Sequence, residues 1–154
     1  MKNIFKKTIF IYFLTNIFVS SFASENFFAK GLALYENKKF DDAKFMFERS
    51  IVFNPKDSNS YLYLAKIYNV KEDQGKEEKN LDATLLIDPN NEEAILMLMK
   101  IGLEKSNYSQ VKDLSKTFSE VCKSLCSENK KILETLANLD PKNEDKYDNE
   151  VDAI

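Results

Sequence analysis

The chain has 154 residues, 44% of them hydrophobic and 31% charged, with only three Gly and three Pro. That composition belongs to one helix-rich globular domain and excludes a disordered chain or a multi-span membrane protein. The absence of His removes the common general base near neutral pH and the imidazole metal ligand, while a net charge of −3 with Arg49 as the one arginine disfavours nucleic acid as a partner.

The first 23 residues differ from everything after them. Lys2, Lys6 and Lys7 open the chain without an acid, Thr8 to Val19 is an apolar run, and Ser21 and Ala23 flank Phe22 as small residues. This order is that of a secretory signal peptide over residues 1–23. A membrane span needs about 20 apolar residues, so a cleaved segment and a periplasmic protein are expected. An uncleaved inner-membrane anchor, with the domain still facing the periplasm, is the alternative. Cleavage would take three lysines and no acid, leaving a more acidic chain with little affinity for anionic lipid.

A repeat dominates the rest. Asn54-Pro55-Lys56-Asp57 returns as Asp88-Pro89-Asn90-Asn91, 34 residues later, with apolar residues before each Pro and a helix-like pattern after it. A fixed period of this size signals stacked helical units. Three- and four-residue spacing predicts helices near 25–37, 41–53, 58–70, 75–87, 92–105 and 109–123. Phe27, Gly31 and Leu34 form one apolar stripe, and Phe40, Ala43, Phe47 and Ile51 another; the small members let paired helices approach. Pro55 and Pro89 stop the helices before them, and Ser58 and Asn91 are the expected caps of those that follow. Gln74 and Glu77, in place of apolar residues, predict a loosely started fourth helix. A seventh helix near 128–138, with Ile132, Leu133, Leu136 and Leu139 on one face, is expected to cap the stack. From Pro141 to Ile154 the chain is polar and acid-rich and reads as a disordered tail.

These residues resemble the tetratricopeptide-repeat family. Phe27, Gly31, Leu34, Phe40, Ala43, Phe47, Ser50 and Pro55 stand at its signature places in a first unit. Tyr61, Ala65, Tyr68, Leu81, Thr84 and Pro89 do so in a second, which departs at Gln74 and Glu77. Ile95, Leu98, Tyr108 and Val111 begin a third, which lacks a small residue at Met99 and a closing Pro. The resemblance implies an all-α solenoid of about three helix–turn–helix units (24–57, 58–91, 92–125) with the capping helix behind them, in a repeat domain over 24–140. It also implies a concave groove that holds a peptide or helix of another protein. Groove-lining positions transfer to Phe28, Leu32 and Tyr35, to Leu62, Lys66 and Asn69, and to Leu96, Lys100 and Leu103. Partner binding, self-association into a homo-oligomer, and plain core packing are the three readings of that set. The family's clamp for the acidic tail of heat-shock chaperones is absent, since its positions read Phe28, Leu32, Tyr63, Glu93 and Met97.

Cys122 and Cys126, the two cysteines, read in an exported chain as a disulfide, with free thiols or a redox or metal role as the alternatives. No nucleotide-binding, nucleophile-elbow or calcium-loop motif occurs, so no enzyme, cofactor, metal or small-molecule substrate is expected. The acid pairs Asp41-Asp42, Glu77-Glu78 and Glu92-Glu93 read as solvated charges at helix starts.

Overall fold

Five of the seven described helices have their start written in the side chain before them. In the computed structural model, which describes residues 26–139, the N-cap side chains of Asn26, Asp57, Asp73, Asn91 and Asn107 each accept the backbone N–H three residues on. They open α1 (Phe27–Glu36), α3 (Ser58–Val70), α4 (Gln74–Ile87), α5 (Glu92–Glu104) and α6 (Tyr108–Val121). The helices α2 (Phe40–Phe53) and α7 (Cys126–Leu139) complete the order. The expected signal segment and acidic tail lie outside the described residues, among which there is no strand.

Two local expectations change. Asp57, not Ser58, caps α3; its carboxylate also accepts the Ser50 hydroxyl at 2.8 Å and that of Ser60, so one acid joins the end of α2 to the start of α3. Helix α4 is regular from Gln74 because Asp73 caps it, and a loose start does not occur.

The repeat is clearest in the backbone. Lys38, Glu72 and Ser106 have φ of 59°, 57° and 56°, in the left-handed region, and stand 34 residues apart. In each case two N–H groups fold back on the preceding helix: Lys38 on Tyr35 and Lys39 on Leu34, Glu72 on Asn69 and Asp73 on Tyr68, Ser106 on Leu103 and Asn107 on Gly102. None of the three is Gly, and a left-handed non-Gly residue costs roughly 1–2 kcal/mol. Allowing for glycine's larger unfolded-state entropy, Lys38→Gly, Glu72→Gly and Ser106→Gly should each stabilise by about 0.5 kcal/mol. Urea unfolding of the single and triple variants checks this.

Helices pack as the pairs α1–α2, α3–α4 and α5–α6; α2 meets α3, α4 meets α5, and α7 closes the stack on α5 and α6. The core runs along the stack as three clusters. Ala43, Phe47, Leu64 and Ile67 fill the first, Leu62, Ala65, Leu81, Ala94, Leu98 and Ile101 the second, and Ile95, Leu96, Met99, Val111, Phe118, Ile132 and Leu136 the third. A Cβ on Gly31 would lie 2.7 Å from the Phe47 ring, which is why the first pair needs hydrogen there. In the third pair this role passes one turn on, from Met99 to Gly102, whose Cβ would meet Val111 at 2.7 Å.

On α7 only one narrow stripe is covered, since the helix has neighbours on one side alone. Ile132 and Leu136 are buried, whereas Leu133 and Leu139, expected on the same face, are exposed. Beside them the buried Asn129 accepts the Ser115 hydroxyl at 2.9 Å and donates to Ser119 Oγ at 3.1 Å. The approach to α7 is held twice. Cys122 and Cys126 form a disulfide with Cα atoms 5.4 Å apart; so short a loop contributes about 2 kcal/mol in the chain-entropy model. The Glu92 carboxylate accepts the N–H groups of Lys123 (2.8 Å), Ser124 (3.1 Å) and Leu125 (2.8 Å). Glu92 is therefore a clasp across the third unit and not a freely solvated charge.

Those N–H donors, that of Leu125 foremost, hold the Glu92 carboxyl below its ordinary value of 4.5. The stabilisation is present in full above 4.5 and disappears as pH falls through the lower, folded value. Glu92→Gln should lower the melting temperature at pH 7, with the difference from wild type closing towards pH 3. Thermal melts followed by circular dichroism at the two pH values check it.

Candidate partner-binding groove

Between α3 and α5 lies an open cleft of about 340 Å³, to whose lining α4 adds Glu77 and α1 adds Tyr35. Its apolar wall comes from Tyr35, Val70, Met97 and Ile101, and its charges from Lys66, Glu77, Glu93, Lys100 and Glu104, with Asn69 among them. The volume lies at the low end of the range of ligand sites, and the lining, six of its ten residues polar or charged, is more polar than is usual for them.

Of the nine residues expected to line a groove, four do so: Tyr35, Lys66, Asn69 and Lys100. Leu62 and Leu96 belong to the core instead, each only 5% exposed. They point between helices, into the second and third clusters, so charging either would break packing and not block a ligand. Phe28 sits between the rings of Phe47 (5.7 Å) and Tyr63 (5.8 Å), and Leu103 packs on the third cluster. Leu32 is half-buried and does not line the cleft. The lining on α5 is Glu93, Met97, Lys100, Ile101 and Glu104, a stripe turned by about one residue from the expected set. Glu93 and Met97 were legible as positions where a clamp would have stood. Glu77 stood out as an acid at a place for a small residue.

Polar groups in the cleft are mostly engaged. Lys66 Nζ pairs with Glu93 at 2.8 Å and lies 4.5 Å from the Tyr63 ring centre. Outside the cleft, Lys71 pairs with Asp41 and Lys105 with Glu78, tying neighbouring pairs together at the surface. Gln74 Nε2 donates to Glu104 at 2.7 Å, again between pairs. Glu77 is different. It is 4% exposed and accepts one hydrogen bond, from Asn69 Nδ2 at 3.1 Å. Burial raises its carboxyl above the ordinary value of 4.5; the Asn69 hydrogen bond opposes this, and the neighbouring Glu104 and Glu78 add to it. Among the described residues no cluster of His, Cys, Asp and Glu is placed to hold a metal ion.

No protein-family model matches the sequence, and no curated protein does. Solved structures do match. The Yersinia enterocolitica type III secretion chaperone SycD, in complex with a peptide of the translocator YopD, superposes with a TM-score of 0.67 at 16% identity, over 77% of this chain and 95% of that one. The Sgt2 TPR domain of Aspergillus fumigatus gives 0.61 at 16% identity, over 77% and 79% of the two chains. The CopN–Scc3 complex gives 0.61 at 16% identity, over 76% and 71%. With the 34-residue period present in sequence, turns and helix pairs alike, the chain has the tetratricopeptide-repeat fold.

Proposed function

We propose that this protein is a periplasmic adaptor that holds an extended peptide or amphipathic helix of another protein in the cleft between α3 and α5, and serves the assembly of an envelope complex. The observation that carries the reading is the cleft itself: an open trough between two helices in which Tyr35, Val70, Met97 and Ile101 alternate with Lys66, Asn69, Glu77, Glu93, Lys100 and Glu104, a lining suited to a polypeptide with both apolar and charged side chains. Similarity in fold to SycD, described in complex with a peptide, and to the CopN–Scc3 complex supports a polypeptide as occupant. The signal-like residues 1–23 support export. The second form of the reading keeps residues 1–23 as an inner-membrane anchor displaying the same stack.

A photo-crosslinking amino acid placed at Met97, inside the cleft, should give adducts with another polypeptide in cells that make the protein. The same group at Leu86, which is 86% exposed on α4 and outside the cleft, should not. Adducts from Leu86 alone, or from neither site, defeat the reading. Mass spectrometry of the mature chain separates the two forms, because an N-terminus at Ser24 eliminates the anchor.

A further inference from the structure

We propose that the occupant of the cleft presents a lysine or arginine side chain to Glu77. This rests on the groove reading above and adds the chemistry of the partner to it.

The argument is one of charges left over. Lys66 is taken by Glu93, and Lys105 by Glu78. Lys100 is exposed on the wall, where its field acts on Glu128 of α7. Glu104 holds only the Gln74 amide, and Glu77 only that of Asn69. Among the described residues Glu77 has no cationic partner, although it is almost wholly buried and lines the open cleft. A buried carboxylate without a counter-charge is costly, and two nearby acids make it more so. The cap of α4 does not need this acid, since Asp73 already fills that place, and among the described residues its charge is offset only by the Asn69 amide and the partial charge of the helix N-terminus.

The cleft supplies what a cation needs on its way to Glu77. Tyr35, Val70, Met97 and Ile101 offer apolar surface for an aliphatic stem, and Glu77 and Glu104 line the same cleft and can receive the charged head. Asn69 fixes one oxygen of Glu77, leaving the carboxylate oriented. A side chain on a polypeptide fits better than a free amine, since the cleft is open along α3 and α5 and reaches residues from three helical pairs.

Fluorescein-labelled heptapeptide mixtures with a fixed central Lys, Arg, norleucine or Glu, read by fluorescence polarisation, test the proposal. The Lys and Arg mixtures should bind about tenfold tighter than norleucine and tighter still than Glu. Glu77→Gln, which keeps the acceptor for Asn69, should erase that preference. The same variant should melt higher than wild type at pH 7, because it removes an uncompensated charge. Folded Glu77 titrates above 4.5, so the gain should vanish below that pH, where wild type is protonated too. A purely structural Glu77 would instead make Glu77→Gln melt lower. Equal binding of all mixtures overturns the proposal, as does binding of none. The groove reading is then judged separately by crosslinking at Met97, which does not depend on Glu77. Displacement of the Lys mixture by micromolar putrescine would overturn the assignment to a polypeptide.

Discussion

Phe47→Ala should destabilise the protein by about 4 kcal/mol and open one end of it before the other. Phe47 is fully buried at the centre of the first cluster, with the Phe28 ring at 5.7 Å and the Tyr63 ring at 5.3 Å. Neither neighbour can move in to close the hole, because Tyr63 is itself held edge-on by Tyr35 at 5.1 Å. A domain of this size has a total stability of roughly 5–15 kcal/mol, so the loss is a large share of it. Stacked repeats couple only to their neighbours, so the damage should stay local. Hydrogen exchange should show α1 and α2 losing protection while α5 to α7 keep theirs. Uniform loss along the whole chain would show that the three clusters unfold as one.

Gly31→Val is the mirror experiment. Its Cβ alone would fall 2.7 Å from Phe47 Cε1, and the ring cannot retreat from a site with no free space. Removing Gly from a helix interior favours the helix by roughly 0.5–1 kcal/mol, yet overpacking a closed core costs typically 1–3 kcal/mol and Val brings two further carbons. The overlap wins, and the variant should lose about 2–3 kcal/mol. The two changes meet in one space, so Gly31→Val combined with Phe47→Ala should cost clearly less than their sum. A double-mutant cycle in urea measures this, and strict additivity would mean that the contact is not where the loss arises.

The fold was readable because its signals are local and repeated. Phe27, Gly31 and Leu34 needed only helical spacing, and the two Pro motifs marked the unit length directly. The caps were nearly as plain, although Asp57 won over Ser58 by reaching two hydroxyls as well as a backbone N–H. The groove was less legible. The structure brings Tyr35, Lys66, Asn69 and Lys100 together in one cleft, whereas Leu62 and Leu96, one turn away from Lys66 and Lys100, turn inward. A turn of one residue about a helix axis moves a side chain by about 100°, enough to carry it from wall to core. Glu77 was misjudged for another reason. Polar residues read as solvated unless a partner is known, and its partner, Asn69, lies across a helix pair. The clasp at Glu92 was hidden in the same way, since its donors are backbone groups some thirty residues on.

The link made by Asp57 has a bearing on how such a protein changes length. Asp57 and Asn91 share the capping role at successive joints, although only Asp57 also reaches back to the helix before it, and the left-handed residues keep the same stride. A spliced module running from one such joint to the next would find matching ends on both sides. The trough would then be a ruler whose graduations can be added or removed, with its reach along a bound chain set by counting modules and its chemistry by which acid or lysine each one carries.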